Sequence, residues 1–143
     1  MSTIQVQEIL STLKKRREEN KLNYYQPYKF QKSFHQAGSE SNQRLLMAAN
    51  RVGKSYVGAM EMAAHLTGLY PKWWTGKKFD KPIKAWVCGA SNETTRDICQ
   101  KELFGQPDNP RDKGQGSIPK HLIGETTRKP GVPNAHSSVL VKH

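Results

Sequence analysis

The stretch Ala48-Ala49-Asn50-Arg51-Val52-Gly53-Lys54-Ser55 constrains this chain more than any other feature. It follows the short apolar run Arg44-Leu45-Leu46-Met47-Ala48, which has the length of a buried parallel strand. An amphipathic helix is expected next, from Gly53 to about Leu69. Val57, Met60 and Ala64 lie on one face, and Gly68 and Pro71 are its stop signals. Gly-Lys-Ser between a strand and a helix is the second half of the phosphate-binding pattern G-x-x-x-x-G-K-[ST]. Each position has a chemical reason. Gly53 lets the backbone approach phosphate oxygens, and the amides of the loop and helix start point at the anion. Lys54 can set its ammonium between the β- and γ-phosphates of a nucleotide, and the Ser55 hydroxyl can ligate Mg²⁺. Ala48 stands where the pattern has its first glycine, and alanine is strained there if the position needs a positive φ. A loop entered by a different turn tolerates it. Arg51 reads either as a solvated loop arginine or as a guanidinium near the γ-phosphate or a neighbouring subunit's nucleotide.

The remaining segments alternate in kind. Thr3 to about Asn20 reads as a helix with Val6, Ile9, Leu10 and Leu13 on one face, and Ser2 and Gln5 have the spacing of a capping box. The charged run Lys14–Glu19 suits a solvated helix end or a DNA contact. Tyr24 to Phe34 is too irregular for an assignment, and Ala37–Asn42 reads as a loop. Ile83–Cys88 is a second strand candidate, followed by a helix from about Glu93 to Phe104 with Ser91 and Asn92 suited to its cap and Gly105 to its end. Gly105–Lys120 reads as a long loop, and Val139-Leu140-Val141 begins another strand. This order predicts an α/β fold with a parallel sheet and right-handed crossovers. A chain that ends as it enters a strand reads as cut, leaving an apolar sheet edge and face uncovered.

Charge narrows the partners. Lys and Arg number 23 against 12 Asp and Glu, a net charge of +11, which favours polyanions such as nucleic acid or nucleotide. Attraction of this kind is sequence-independent and salt-sensitive. No segment approaches the ~18 apolar residues of a membrane span. The start Met1–Gln5 lacks the pattern of a secretory signal, and Cys88 and Cys99 read as two reduced thiols. His35, His65, His121, His136 and His143 have no metal-ligand spacing, and His121 and His136 read as solvated. Trp73-Trp74 is expected to pack on a sheet edge, and Lys77, Lys78, Lys81 and Lys84 suit a solvated surface or DNA phosphates equally. Ser137-Ser138 has no paired base nearby in sequence.

Two longer stretches, "MAANRVGKSYVGAMEMAAHLTGLYPKWWTG" and "FDKPIKAWVCGASNETTRDICQKELFG", resemble the ATPase domain of tailed-phage large terminase subunits. That family often lacks the first glycine of the pattern and carries an arginine within the loop, as Arg51 stands here. Upstream, "YKFQKSFHQAG" is similar to the family segment whose aromatic and glutamine contact adenine. By position these are Gln31, with Tyr28 or Phe30 nearby. The resemblance runs from about Tyr25 to Val141. It implies a RecA-like P-loop NTPase fold binding ATP and Mg²⁺ through Asn50, Arg51, Val52, Gly53, Lys54, Ser55 and Gln31, with Ser55 on the metal and Arg51 in a catalytic role. It also implies an oligomeric ring in the host cytoplasm, working on a portal protein with a small terminase subunit and double-stranded DNA, and no membrane.

On this reading residues 1–24 form an N-terminal helix and 25–143 a partial ATPase domain. Family members continue with an acidic pair ending a second strand, a coupling motif and an RNase H-like nuclease, none of which is visible. Asp80, Glu93, Asp97, Glu102, Asp108, Asp112 and Glu125 follow the loop helix, and none ends an apolar strand. Such a chain is expected to hydrolyse ATP weakly or not at all by itself. Two other readings stand beside this one. The first is a non-catalytic basic module that binds DNA or intact motor subunits. The second is a small P-loop kinase, whose arginine-bearing lid would have only Arg111 in the Gly105–Lys120 loop.

Overall fold

Helix α3, Lys54–Thr67, is the centre of the computed structural model, which describes residues 3–143. Val57, Met60, Ala63 and Ala64 on one side of it are fully buried, because their spacing stacks them on a single helical face. Leu22, Tyr25, Trp74, Leu103 and Ile118 complete the core around that face. Gly68 ends the helix in the left-handed conformation at φ 69°, as expected of a glycine at this position.

Before it come α1, Thr3–Glu19, and α2, Lys29–Ala37. The N-terminal helix forms as its periodicity predicts, yet none of its residues is buried: Val6, Ile9, Leu10 and Leu13 stay exposed. Ser2, the capping residue of that reading, lies outside the described residues. After α3 the chain makes α4, Asn92–Thr94, a π-helical stretch Thr95–Gln100 and α5, Lys101–Phe104, which together fill the expected helix. Ser91 caps it, its Oγ accepting from the Thr94 amide at 3.1 Å. The Gly105–Lys120 segment contains a 3₁₀ turn, Pro110–Asp112.

The sheet differs from expectation. Among the described residues it has two strands, β1 at Ile123–Arg128 and β2 at His136–Val141, paired antiparallel with Ile123 opposite Val141 and Arg128 opposite His136. β2 includes the anticipated Val139–Val141 strand, and β1 was not anticipated. The candidates Arg44–Ala48 and Ile83–Cys88 form no strands, so no parallel sheet is present among the described residues. The physical reason is a lack of partners: a strand exists through the ladder it shares, and these segments have none. Leu45 and Met47 are 82% exposed and Trp86 is 90% exposed. The tryptophan pair also sits elsewhere than expected. Trp74 packs on His35, His65 and Tyr70 between the helices, and its indole donates to the Lys77 carbonyl at 3.0 Å. No described helix is long and apolar enough to cross a membrane. Cys88 and Cys99 are both free.

Candidate functional site: the loop before α3 and its buried support

The turn into α3 is shaped by two residues with positive φ, Arg51 at 62° and Gly53 at 87°. Gly53 occupies the N-cap of the helix and accepts from the Val57 amide through its carbonyl at 2.9 Å. Ala48 is not among the positive-φ residues, so the strain anticipated for an alanine there does not arise. The unusual backbone falls on Arg51 instead, three residues along.

Lys54 is the first residue of α3 and folds back over the turn. Its ammonium donates to the carbonyls of Ala48 at 2.5 Å and Ala49 at 2.6 Å. The lysine therefore closes the loop on itself, its charge held on the carbonyls that begin the turn. Amides at a helix start have no intrahelical acceptor and carry the positive end of the helix dipole. This donor set fits an oxyanion such as phosphate. Asn50, Arg51 and Ser55 are exposed, while Val52 and Gly53 are half-buried. Ser55, one position beyond the lysine, is exposed.

Gln31 is brought to the same turn from α2. It is 2% exposed, and a Cβ added to Gly53 would lie 3.2 Å from its Nε2. Its Oε1 accepts from the Tyr28 amide at 2.9 Å, closing the first turn of α2. Tyr28 and Phe30 stack on each other with ring centroids 6.3 Å apart and remain exposed. Of the predicted site residues, Gln31, Gly53 and Lys54 converge on one turn, and Arg51 points its charge into solvent.

Sequence reasoning missed the buried carboxylate behind this turn. Glu61 lies two helical turns along α3, about 10 Å from the helix start by the 1.5 Å rise per residue. It is 6% exposed and is held from three sides. His35 of α2 meets Oε2 at 2.7 Å, the Arg44 guanidinium grips both oxygens, and His65 approaches Oε1 at 3.4 Å. Burial by itself raises the Glu61 carboxyl. The hydrogen bonds from His35, His65 and Arg44, with the charge of Arg44, overcome this and hold it well below the usual carboxylate range. The carboxylate is thus ionised and can only accept, which puts a hydrogen on His35 Nδ1 and on His65 Nε2. His65 Nδ1 in turn lies 3.1 Å from the Tyr70 hydroxyl, whose oxygen accepts from the Phe79 amide at 2.8 Å. The signal was present in the sequence, since Glu61 and His65, like Gln31 and His35, are four apart and share a helical face.

Two other histidines have distinct surroundings. His136, expected to be solvated, is half-buried in β2 with no hydrogen-bond partner at its buried Nδ1. Its ring is held below the usual histidine range by burial and by the charges of Lys113 and Arg128. His143 Nδ1 lies 3.3 Å from the Leu66 carbonyl. No cluster of metal-ligating side chains occurs among the described residues.

Comparison with known proteins shows the family. A family model for the terminase large subunit, T4likevirus-type, N-terminal, matches residues 45–139, which take in the loop, α3 and most of the chain beyond. The chain belongs to the terminase large-subunit family. The large terminase subunit of Salmonella phage P22 is 37% identical over 152 aligned positions, covering 98% of this chain and 30% of that protein. This terminase chain therefore spans about 30% of the length of that relative. No solved structure matches it.

Proposed function

We propose that this chain is the nucleotide-binding front part of a DNA-packaging motor, and that it holds ATP and Mg²⁺ at the turn from Ala48 to Ser55. One observation carries the reading: Gly53 in the left-handed conformation caps α3 while the ammonium of Lys54 is folded over the same turn. On this account a nucleotide's phosphates take the place of the Ala48 and Ala49 carbonyls as acceptors for Lys54. The loop amides bind the same oxygens, and Ser55 ligates the Mg²⁺. ATP bound there supplies the phosphoanhydride whose hydrolysis drives packaging. Arg51, exposed beside the loop, is assigned to the γ-phosphate or to the nucleotide of a neighbouring subunit.

The complete protein, on this reading, is a P-loop motor with a parallel sheet, in which Arg44–Ala48 and Ile83–Cys88 are paired strands. The bare Leu45, Met47 and Trp86 side chains favour this, because apolar residues in extended segments are stable when covered. Its partners would be double-stranded DNA, a portal protein, a small terminase subunit and further copies of itself, acting in the host cytoplasm. The net charge of +11 suits the DNA. Glu61 is committed to His35, Arg44 and His65, so it is not the acid that would orient an attacking water. The chain by itself is accordingly assigned binding without efficient hydrolysis.

Calorimetric titration with Mg-ATP, beside a phosphate-release assay, tests this. Wild type should bind, and Lys54→Ala should lose most of that binding, with little phosphate released by either. A folded wild type that binds no nucleotide would refute the reading and favour a basic module that binds DNA or other motor subunits.

A further inference from the structure

The polar chain that starts at Glu61 continues past His35 to the loop. His35 gives its Nδ1 hydrogen to Glu61, which leaves Nε2 facing the Tyr25 hydroxyl at 3.1 Å. That hydroxyl is also 3.4 Å from Gln31 Oε1. The Tyr28 amide can only donate, so the oxygen of the Gln31 side chain must be the atom that faces it, 2.9 Å away. The orientation of the amide is thereby determined: oxygen toward Tyr25 and Tyr28, NH₂ toward Gly53.

Every member of this chain is buried, with Tyr25 at 5%, Gln31 at 2%, His35 at 1% and Glu61 at 6% exposure. Polar groups in such a position cost desolvation that apolar residues of like shape would not, so stability alone does not account for them. What the arrangement supplies is geometry. The Tyr25 ring is wedged edge-on against His35, Tyr56 and Trp73, which leaves its hydroxyl little freedom. The hydroxyl lies between His35 Nε2 at 3.1 Å and Gln31 Oε1 at 3.4 Å and is the link between them.

We propose that Tyr25 and His35 are positioning residues for the turn at Gly53, acting through the Gln31 amide that the Tyr25 hydroxyl holds together with the Tyr28 amide. The proposal rests on the nucleotide reading for its functional meaning. Its structural content stands apart from it. Gln31 supports the turn from beneath, and the Glu61–His35–Tyr25 chain sets where that support lies. Loss of the Tyr25 hydroxyl leaves the Gln31 oxygen held by the Tyr28 amide alone, and the turn loses part of its floor while the hydrophobic core is intact.

Tyr25→Phe removes the hydroxyl and keeps the ring, and His35→Asn keeps a donor for Glu61 while losing the contact with Tyr25. Amide ¹H–¹⁵N spectra of the nucleotide-free chain should show both variants displacing the Gln31 side-chain pair and the Gly53, Lys54 and Ser55 backbone resonances. Ala63 and Ala64, further along α3, should stay in place. Mg-ATP affinity should fall about fivefold in each, the fold-change equivalent to one net hydrogen bond. Unmoved Gly53–Ser55 resonances in a folded Tyr25→Phe chain would overturn the proposal, as would displacements spread evenly over α2 and α3. A wild type that binds no Mg-ATP would instead remove the nucleotide reading, and the spectra would still decide whether Tyr25 and His35 position the turn.

Discussion

His35 donates from Nδ1 to Oε2 of Glu61 across 2.7 Å, and this contact joins the last turn of α2 to the middle of α3. The two helices otherwise share mainly aromatic packing through Tyr25, Trp73 and Trp74. Removing the carboxylate leaves Arg44, His35 and His65 with unanswered donors. Glu61→Ala should therefore lower unfolding stability by about 3 kcal/mol, the order expected when one member of a buried ionic cluster is deleted. Arg44→Ala should cost less, because its side chain is 20% exposed and water can replace part of what it provides. Urea denaturation of the two variants checks the order.

The same carboxylate makes stability depend on pH. Its folded value lies below the ordinary carboxylate range, so the unfolded chain binds its proton first as pH falls. The stabilisation is fully present above the unfolded value of about 4.3 and is lost as pH falls through the folded one. Urea midpoints measured from pH 6 to pH 2.5 should fall more steeply for wild type than for Glu61→Gln. Equal slopes would mean that Glu61 is not held ionised by its neighbours.

The two positive-φ residues of the loop should respond differently to substitution. Gly53→Ala puts a side chain at φ 87° with its Cβ 3.2 Å from Gln31, and should destabilise by about 1 kcal/mol while displacing the turn. Arg51→Gly relieves a non-glycine residue at φ 62°, offset by the greater freedom of glycine in the unfolded chain, and should leave stability within about 0.5 kcal/mol of wild type. Thermal melts of both variants, read with the amide resonances of Gly53–Ser55, make the comparison.

Trp86 stands 90% exposed near an open cleft of about 670 Å³ lined in part by Leu66, Ile83, Leu103 and Leu140. Uncovered apolar surface of this kind promotes association. Trp86→Lys combined with Met47→Lys should raise the concentration at which the chain stays monomeric by light scattering, while changing unfolding stability by no more than about 0.5 kcal/mol. Of the three tryptophans, Trp86 should account for most of the fluorescence that acrylamide quenches, since Trp74 is buried.

The parts of this fold that were legible in the sequence are those specified locally. Val57, Met60 and Ala64 define the buried face of α3, Gly53 and Gly68 mark its ends, and Ser91 caps the helix after it. Strand pairing is not local. Arg44–Ala48 and Ile83–Cys88 have the composition of strands but no neighbour to share a ladder, whereas Ile-Gly-Glu-Thr-Thr-Arg at 123–128 lacks a clear alternation and becomes β1 by pairing with β2. In the candidate site, Gly53, Lys54 and Gln31 were expected from their pattern and family resemblance, and the fold brings them to one turn. Glu61 and His35 were passed over because isolated polar residues in a helical pattern resemble a solvated face, and Arg44 because it heads an apolar run read as a strand. Only the tertiary contact between α2 and α3 turns that face inward.

The central claim is that the turn at Gly53 holds the phosphates of a nucleotide, and a crystal structure of the chain with Mg²⁺ and a non-hydrolysable ATP analogue tests it most directly. The account predicts phosphate density against the amides of Gly53–Ser55, with Lys54 withdrawn from the Ala48 and Ala49 carbonyls and its ammonium on a phosphate oxygen. Nucleotide density elsewhere, with Lys54 still closing the loop on those carbonyls, would contradict it.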